Sequence, residues 1–445
     1  MNLFPHGKGS CGKGMGTRMK DKTKIFEAYE RILKQELVPA MGCTEPVALA
    51  YCAAKARSVL GMVPDRVLAE VSGNIIKNVK SVIVPNTDGA KGIEAAVAMG
   101  IVAGREDRKL EVLSEISGEQ KTAFREYLRE TPVKISRLKA CLPLDMRIAV
   151  WNGSSSAAVR IAGEHTNIVE IRKNEEILFE KAAGPEADET EESCYGYLNV
   201  EDICLFAAEA ELSRINEVLE RQIRYNQDVA WEGLKGNYGA NIGNVLLVSC
   251  EGGVRNRAKA MAAAGSDARM NGCELPVVIN SGSGNQGLTV SLPVIEYALE
   301  MEADDEKLCR ALIISNLIAI HLKRGIGALS AYCGAVSAGV AAGAGIAWLK
   351  GGDYDTIAHT VVNGLAIASG MICDGAKASC AAKIAIAVEA GLLGYDMYQN
   401  GQQFYGGDGV VAKGVENTIH NIASLGKNGM RETDQEILNI MTCVD

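Results

Sequence analysis

Within the C-terminal half of the chain lie the sequences Ser330-Ala331-Tyr332-Cys333-Gly334-Ala335 and Cys373-Asp374-Gly375-Ala376-Lys377-Ala378-Ser379-Cys380. Each surrounds a thiol with glycine, alanine and serine, so that backbone and a bulky ligand can approach the sulfur closely. A third thiol lies far upstream, in Gly42-Cys43-Thr44-Glu45-Pro46. These three segments are the starting point for predicting both fold and function.

The composition is that of a soluble globular protein with room for two domains. The chain has 445 residues, of which 47% are hydrophobic and 23% charged, and its net charge is −9. An acidic balance argues against binding to nucleic acid or to an acidic membrane surface, because contacts to phosphates require a basic surface. Aromatic residues make up only 5% and glycine reaches 48 residues, so we expect a core of small aliphatic side chains.

Thirteen cysteines are scattered along the chain. The number is odd, the spacing is not that of a small disulfide framework, and no secretory signal precedes them. We therefore expect a reducing cytoplasm, in which most of these residues are buried and unreactive. No pair has CxxC spacing, which excludes zinc ribbons and ferredoxin-type runs. Iron–sulfur clusters need thiolates with little bulk around them, but spacing alone does not separate cluster ligands from core thiols here.

A membrane span is the alternative interpretation of residues 325–349. This segment has no charged residue over 25 positions, long enough to cross a bilayer, yet six of its residues are glycine and eight are alanine. Such small residues contribute little to membrane transfer. We predict a buried, closely packed helix instead.

The chain is predicted to fold as α+β, with a smaller antiparallel-sheet α/β domain and a larger, mostly α-helical catalytic domain. An amphipathic helix covers residues 21–37, and Thr44 or Glu45 caps a second helix whose first turn contains Pro46. That arrangement places Cys43 at a helix N-terminus, where the helix dipole favours a thiolate. Short alternating runs then predict strands at 67–72, 81–84, 133–138, 146–151, 157–161, 167–171 and 177–180. Helices are expected at 90–103 and 118–130.

An acidic, polar segment at residues 181–192 reads as a solvated linker between domains. Beyond it we expect helices at 202–210, 213–231, 254–264, 287–300, 306–323, 328–350, 353–368, 376–391 and 415–424. The predicted organisation is a disordered tail (1–20), N-terminal helices that carry a candidate cysteine and pack on the catalytic domain (21–62), an α+β domain (63–185) and the helical catalytic domain (195–445).

The sequence Asn280-Ser281-Gly282-Ser283-Gly284-Asn285-Gln286-Gly287 follows a short apolar run and opens a helix. Glycines with hydroxyl and amide side chains at a helix start form a nest that suits a carboxylate or a phosphate. It is not a P-loop, because no Gly-Lys-Ser/Thr follows. The loop is also similar to the asparagine loop of pyridoxal-phosphate dehydratases, which leaves a lysine Schiff base as one alternative and an ordinary connection as another.

Basic side chains end the helix that precedes Cys333. Two interpretations apply to His321, Lys323 and Arg324. Their charges either stabilise the C-terminal end of the helix dipole or form a positive rim that binds a carboxylate or accepts a proton. His165, in a turn between two predicted strands, is either a proton-transfer group or a backbone cap.

The motifs around residues 42–46, 72–74, 281–287, 330–335 and 373–380 together resemble those of the L-cysteine desulfidase family, which is related to the alpha chain of iron–sulfur-dependent L-serine dehydratases. The resemblance extends from about residue 24 to residue 440 in the same order. It implies a 4Fe–4S cluster held by Cys43, Cys333 and Cys373, with one iron open. Cys380 is an alternative ligand, and Cys443 resembles a tail cysteine that caps the open iron in some serine dehydratases.

The resemblance further implies a lyase that carries out β-elimination from a small L-amino acid, with L-cysteine as first choice and sulfide, pyruvate and ammonia as products. For the substrate carboxylate we choose Ser281, Ser283, Asn285 and Gln286. Candidates for the base are His321, Lys323 and Lys377. The alternatives are L-serine dehydration on the same cluster and a non-catalytic amino-acid-binding protein. We expect a homo-oligomer, specifically a dimer, in the cytoplasm.

Overall fold

A computed structural model describes residues 13–139, 142–182, 194–249, 252–327 and 329–442. It has the predicted α+β architecture, with one six-stranded sheet beside a larger helical part. The first part contains helices α1 (Lys13–Glu36), α2 (Thr44–Leu60), α3 (Gly73–Val79), α4 (Gly92–Ala103) and α5 (Gly118–Glu130). Its strands are β1 (Pro39–Met41), β2 (Arg66–Val71), β3 (Val133–Arg137), β4 (Asp145–Asn152), β5 (Ser155–Ala162), β6 (Ile168–Lys173) and β7 (Glu176–Glu180).

The helical part follows the segment predicted as a linker. Its helices are α6 (Val200–Glu209), α7 (Asn216–Lys235), α8 (Ile242–Ser249), α9 (Val254–Met270), α10 (Gly284–Glu300), α11 (Asp305–Ile326), α12 (Gly334–Leu349), α13 (Tyr354–Ala368), α14 (Cys380–Gln399), α15 (Val415–Ser424) and α16 (Arg431–Thr442). One short strand, β8 (Pro276–Val278), precedes α10. No helix in the described ranges is long and apolar enough to cross a membrane.

The sheet has the strand order β3-β2-β4-β5-β6-β7. The chain passes through α3, α4 and α5 between β2 and β3, and these two strands pair in parallel, with Val67 opposite Val133. The other pairs are antiparallel, so the sheet is mixed where the alternating pattern predicted an antiparallel one. Two parallel strands need a long crossover connection, here a helical one. The alternating pattern within one strand does not reveal such a connection.

The N-terminal segment connects the two parts of the molecule. Helix α2 packs on α4 and on strands β4 and β5, whereas α1 packs on α6 and α11 of the helical part. Between them, β1 pairs antiparallel with β8, with Pro39 opposite Val278. The segment that carries Cys43 is therefore fixed from both sides.

Several local predictions differ from the structure. Helix α1 begins at Lys13, inside the predicted tail, and residues 1–12 lie outside the described residues. No strand forms at 81–84, where Ile83 makes only a bridge to Lys91. Residues 73–79, for which no element is predicted, form helix α3, because the Ser72 hydroxyl caps it by accepting from the Ile75 amide at 3.3 Å.

Helix α12 lies at the centre of the helical part and contacts α10, α11, α13 and α14. Glycines bring α12 and α14 into backbone contact: a Cβ added at Gly339 would lie 2.3 Å from the Ala387 carbonyl carbon, and one added at Gly391 would lie 2.3 Å from the Gly339 oxygen. Because α12 begins after Cys333 and α14 begins at Cys380, this packing fixes the relative positions of the two thiols.

We expect Gly339→Ala to destabilise the protein by about 1–3 kcal/mol, because the added methyl group overlaps the α14 backbone and the helices must separate. Urea unfolding of the reduced protein measures this loss. The control is Gly118→Ala at the start of α5, where an added Cβ meets nothing within 4 Å. Equal stability of the Gly339 variant and the unmodified protein would contradict backbone contact between α12 and α14.

Candidate active site

Cys43 is the N-cap residue of α2, so the helix is not capped by Thr44 or Glu45 as predicted. The turn before it uses Gly42 at φ +64°, where an added Cβ would lie 2.2 Å from Pro85 Cγ. The thiol is buried, and its Sγ lies 3.5 Å from Glu45 Oε2. Cys43 packs with Met270, and Cys380 lies against the same small cluster.

Cys333 and Cys373 are brought together by the pairing of their two motifs. The Cys333 amide donates to the Met371 carbonyl at 3.1 Å, and the Cys373 amide donates to the Ala331 carbonyl at 2.6 Å. Tyr332 and Ile372 form the bridge between these bonds. This extended pairing explains why α12 begins at 334, six residues later than the predicted helix at 328–350.

The second motif continues as a loop up to Cys380, the first residue of α14, so the helix predicted from 376 begins later. Gly375 has φ +91°, and a Cβ there would lie 2.3 Å from the Lys77 carbonyl oxygen, which only glycine permits. Lys77 Nζ lies 3.4 Å from the Cys373 carbonyl oxygen. The ammonium is also paired with Asp434 of α16.

Four thiols therefore form one thiol site, defined here as Cys43, Cys333, Cys373 and Cys380. The charge of Cys380 acts on Cys43 and Cys333, and that of Cys373 acts on Cys380. The sequence motifs predicted all four residues as cluster ligands or as an alternative ligand. Cys443 lies outside the described residues.

Burial controls the ionisation of these thiols. It raises the pKa of Cys43 far above the usual range and that of Cys333 to about 12, with the neighbouring Cys373 adding to the effect at Cys333. Burial also raises the pKa of Cys380. The prediction that the α2 dipole favours a Cys43 thiolate is thus wrong for the free side chain, since desolvation outweighs the dipole. A metal centre supplies the positive charge that deprotonates such thiols.

Cationic side chains surround the thiol site. Lys323, near the end of α11, is buried and donates to the Gly327 carbonyl. Burial lowers the pKa of Lys323 to about 8, although the thiols of Cys373 and Cys333 oppose this change. Lys383 donates to the Ile372 carbonyl at 2.9 Å and pairs with Asp374. These charges suit an anionic group bound by the thiols.

The loop at 280–287 is held by a buried amide network. Asn280 donates to Asn316 Oδ1 at 2.9 Å, and Asn226 donates to the Gly287 carbonyl at 3.1 Å. Ser281 has φ +49°, and its hydroxyl donates to Asn280 Oδ1 at 2.9 Å. Ser283 is the N-cap residue of α10, without a side-chain cap bond. The amides thus fix a loop whose backbone is strained at Ser281.

The same loop reaches the thiol site through two further side chains. A Cβ added at Gly334, next to Cys333, would lie 2.9 Å from the Gln286 amide. Asn285 Oδ1 accepts from Arg269 Nη1 at 3.0 Å, and Arg269 adjoins Met270, which packs on Cys43. The predicted substrate-binding loop and the predicted cluster cysteines therefore lie side by side.

The turn between β5 and β6 contributes His165, which faces both Glu45 and the loop. Its Nε2 lies 3.8 Å from Glu45 Oε1, and its ring is 3.3 Å from a Cβ added at Gly282. Burial would raise the pKa of Glu45, but His165 and Arg269 hold it at about 2. Asn78 also donates to Glu45 Oε1 at 3.1 Å.

Four buried polar atoms around this site have no hydrogen-bond partner: Asn78 Oδ1, His165 Nε2, Arg269 Nε and Gln286 Oε1. Buried polar atoms are nearly always paired, so a group of unpaired ones indicates a place for a polar ligand. The sequence offered no signal for Arg269 or Asn78, which lie inside ordinary helices.

The three predicted base candidates occupy different surroundings. His321 Nε2 lies 2.7 Å from Glu416 Oε2 on α15, so its side chain makes a hydrogen bond between helices. Lys377 lies beside Cys380 but donates to the Asp374 and Gly375 carbonyls at 3.0 and 3.2 Å. Lys323 is the candidate that is both buried and close to Cys333 and Cys373.

Among the described residues, no three His, Cys, Asp or Glu side chains form a group that could hold a single metal ion. A four-iron cluster presents a different task, because its thiolates bind separate irons of a bulky core. The donors fit that task by type: they are soft thiols, with glycine at positions 334 and 375 and lysines nearby.

Comparison with known proteins matches residues 107–439 to the serine dehydratase alpha chain family, so the match includes most of the sheet as well as the helical part. A UPF0597 protein of Desulfitobacterium hafniense is 57% identical over 423 residues, covering 95% of this chain and 98% of that one. UPF0597 proteins of Lachnoclostridium phytofermentans and Treponema denticola are 49% and 46% identical, covering 94% and 95% of this chain and 100% and 99% of theirs. The chain belongs to the serine dehydratase alpha chain family.

Proposed function

We propose that this protein is an iron–sulfur-dependent lyase that removes the β-substituent of a small L-amino acid, with L-cysteine as substrate. The observation that carries the proposal is the convergence of Cys43, Cys333, Cys373 and Cys380, which come from segments far apart in the chain. The family supports lyase chemistry in amino-acid degradation. The overall reaction is L-cysteine and water to pyruvate, ammonia and hydrogen sulfide.

The cluster would be held by Cys333, Cys373 and either Cys43 or Cys380. Burial raises the pKa of Cys43, Cys333 and Cys380, which makes these thiols poor nucleophiles in the absence of a metal. When bound, a 4Fe–4S cluster with an open iron supplies a Lewis acid for the leaving group.

The protein's own groups would bind the amino acid and move the proton. Lys323, neutral above its lowered pKa, accepts the Cα proton as the bond from Cβ to sulfur breaks and hydrosulfide departs. The remaining aminoacrylate hydrolyses to pyruvate and ammonia. Asn285 and Gln286 face the same site and orient the substrate by hydrogen bonds.

L-serine is the second candidate substrate, and the family match is the observation that favours it. Elimination from serine uses the same Cα proton transfer and the same carboxylate contacts, with water as the leaving group in place of sulfide. The two reactions therefore differ in the leaving group, which comes from a thiol in cysteine and from a hydroxyl in serine.

Replacing Cys333 with alanine is expected to abolish both the cluster and turnover, because the position is a ligand. Anaerobically reconstituted protein should hold about four iron and four acid-labile sulfide ions per chain, and the variant few or none. Cys52→Ala is the control, since that buried thiol only donates to the Val159 carbonyl at 3.2 Å. Separate Cys43→Ala and Cys380→Ala variants identify the third ligand by loss of iron. Full iron content and turnover in Cys333→Ala would refute the assignment.

Replacing Lys323 with glutamine should leave the iron content unchanged and reduce kcat/KM at least about 100-fold, the effect of removing a positioned base. In the unmodified enzyme kcat/KM should rise with pH along a limb centred at about 8 or above, because the base acts only when deprotonated and thiolate ligands raise its pKa. Lys307→Gln, on the same helix, is the control. An active variant with an unchanged pH limb would place the base elsewhere.

Competition between L-cysteine and L-serine separates the two substrate assignments. We expect the larger kcat/KM with L-cysteine, measured as sulfide and pyruvate released together without oxygen. A larger value with L-serine would make the protein a serine ammonia-lyase. If neither amino acid turns over although both bind, the protein is a binding protein, and borohydride trapping of a cofactor on a lysine would instead support pyridoxal phosphate.

A further inference from the structure

Arg269 is a buried guanidinium that forms no ion pair among the described residues, although its charge helps to lower the pKa of the more distant Glu45 carboxylate. It lies in the last turn of α9, with only 3% of its surface exposed. Nη1 donates to Asn285 Oδ1 at 3.0 Å, and Nε has no hydrogen-bond partner. No carboxylate in the described part of the chain lies within ion-pair distance of it. A neutral amide oxygen is therefore the acceptor that its surroundings provide.

Such an arrangement is costly unless an anion completes it. Burying a charge without a paired opposite charge costs several kcal/mol, and a guanidinium cannot escape by losing its proton. Arg257, a partly exposed arginine on the same helix, shows the contrast, because it pairs with Glu296 and Glu300 at 3.4 and 2.6 Å. Arginine presents its donors in a planar fork that matches a carboxylate in two parallel hydrogen bonds.

The position of Arg269 connects the loop with the thiol site. A Cβ added at Gly284 would lie 2.2 Å from Nε, so the loop backbone passes directly over the guanidinium. The adjoining Met270 packs on Cys43. Gln286, 4% exposed, carries another unpartnered atom beside Gly334. An anion bound at Arg269 would thus lie between the loop and the thiols.

We propose that Arg269 binds the α-carboxylate of the amino-acid ligand, with Asn285 holding the guanidinium in orientation. The proposal rests on the proposed function for the ligand class and adds the group that selects it. It makes a free α-carboxylate a requirement, so that a primary amine without a carboxylate is excluded. In a second possible role, the charge of Arg269 stabilises a Cys43 thiolate. Iron content distinguishes that role from carboxylate binding.

The test measures binding to the anaerobically reconstituted protein by calorimetry, with L-alanine, propionate and ethylamine as ligands. L-alanine has no leaving group on Cβ, so its binding is measured without turnover. We expect Arg269→Gln to weaken the binding of L-alanine and propionate about 100-fold, as lost charge-assisted hydrogen bonds predict, whereas ethylamine should bind measurably to neither protein. Arg269→Lys, which keeps the charge without the fork, should fall between the two proteins.

The control is Arg257→Gln on the same helix, which should bind L-alanine and propionate as tightly as the unmodified protein does and, like it, should not bind ethylamine. Iron and sulfide content is measured for every variant. Loss of iron in Arg269→Gln and Arg269→Lys overturns the proposal, because it assigns Arg269 to Cys43. Unchanged propionate binding, or an unmodified protein that binds neither L-alanine nor propionate, also overturns it. Binding as expected without turnover of cysteine or serine refutes only the proposed function.

Discussion

The site depends on the pairing of two short extended segments, residues 331–333 and 371–373. Their two backbone hydrogen bonds place Cys333 and Cys373 on neighbouring strands although forty positions separate them in the chain. The same pairing delays the start of α12 until Gly334 and leaves a loop before α14. Glycine contacts between those helices then hold the thiols of Cys333 and Cys380 in a fixed relation.

In the thiol site, burial favours the neutral forms of Cys43, Cys333 and Lys323, and the proposed cluster would change their charges. Burial raises the pKa of Cys43 and Cys333 and lowers that of Lys323, so these groups tend toward neutrality without a cofactor. In the cluster-bound state that we propose, iron would replace the thiol protons, and the nearby lysines would compensate the negative charge of the thiolates. Cluster binding would then be linked to protonation.

Local chemistry made much of this fold predictable. Helix α5 runs from Gly118 to Glu130 as expected, since Ser117 and Gln120 form a reciprocal capping box that fixes its start. The cysteine motifs were recognisable only through their resemblance to a family, because small residues around a thiol do not separate cluster ligands from core thiols. Parallel pairing of β2 with β3 and the unpartnered state of Arg269 were not, because each depends on contacts between segments distant in sequence. In a sequence, an arginine within a helix gives the same pattern whether or not the folded chain provides an ion-pair partner for it.

Both parts of the molecule contribute residues to the candidate site, so the helical part does not form it alone. His165 comes from a turn of the sheet and faces both Glu45 and the loop at Gly282. Cys43 belongs to α2, which packs on that sheet, and β1 joins the same segment to β8 just before the loop. Since the thiols, the Glu45 carboxylate and the loop are positioned jointly, the sheet contributes to the construction of the candidate site. The family match, residues 107–439, includes His165 and the loop at 280–287 but begins after β1 and α2.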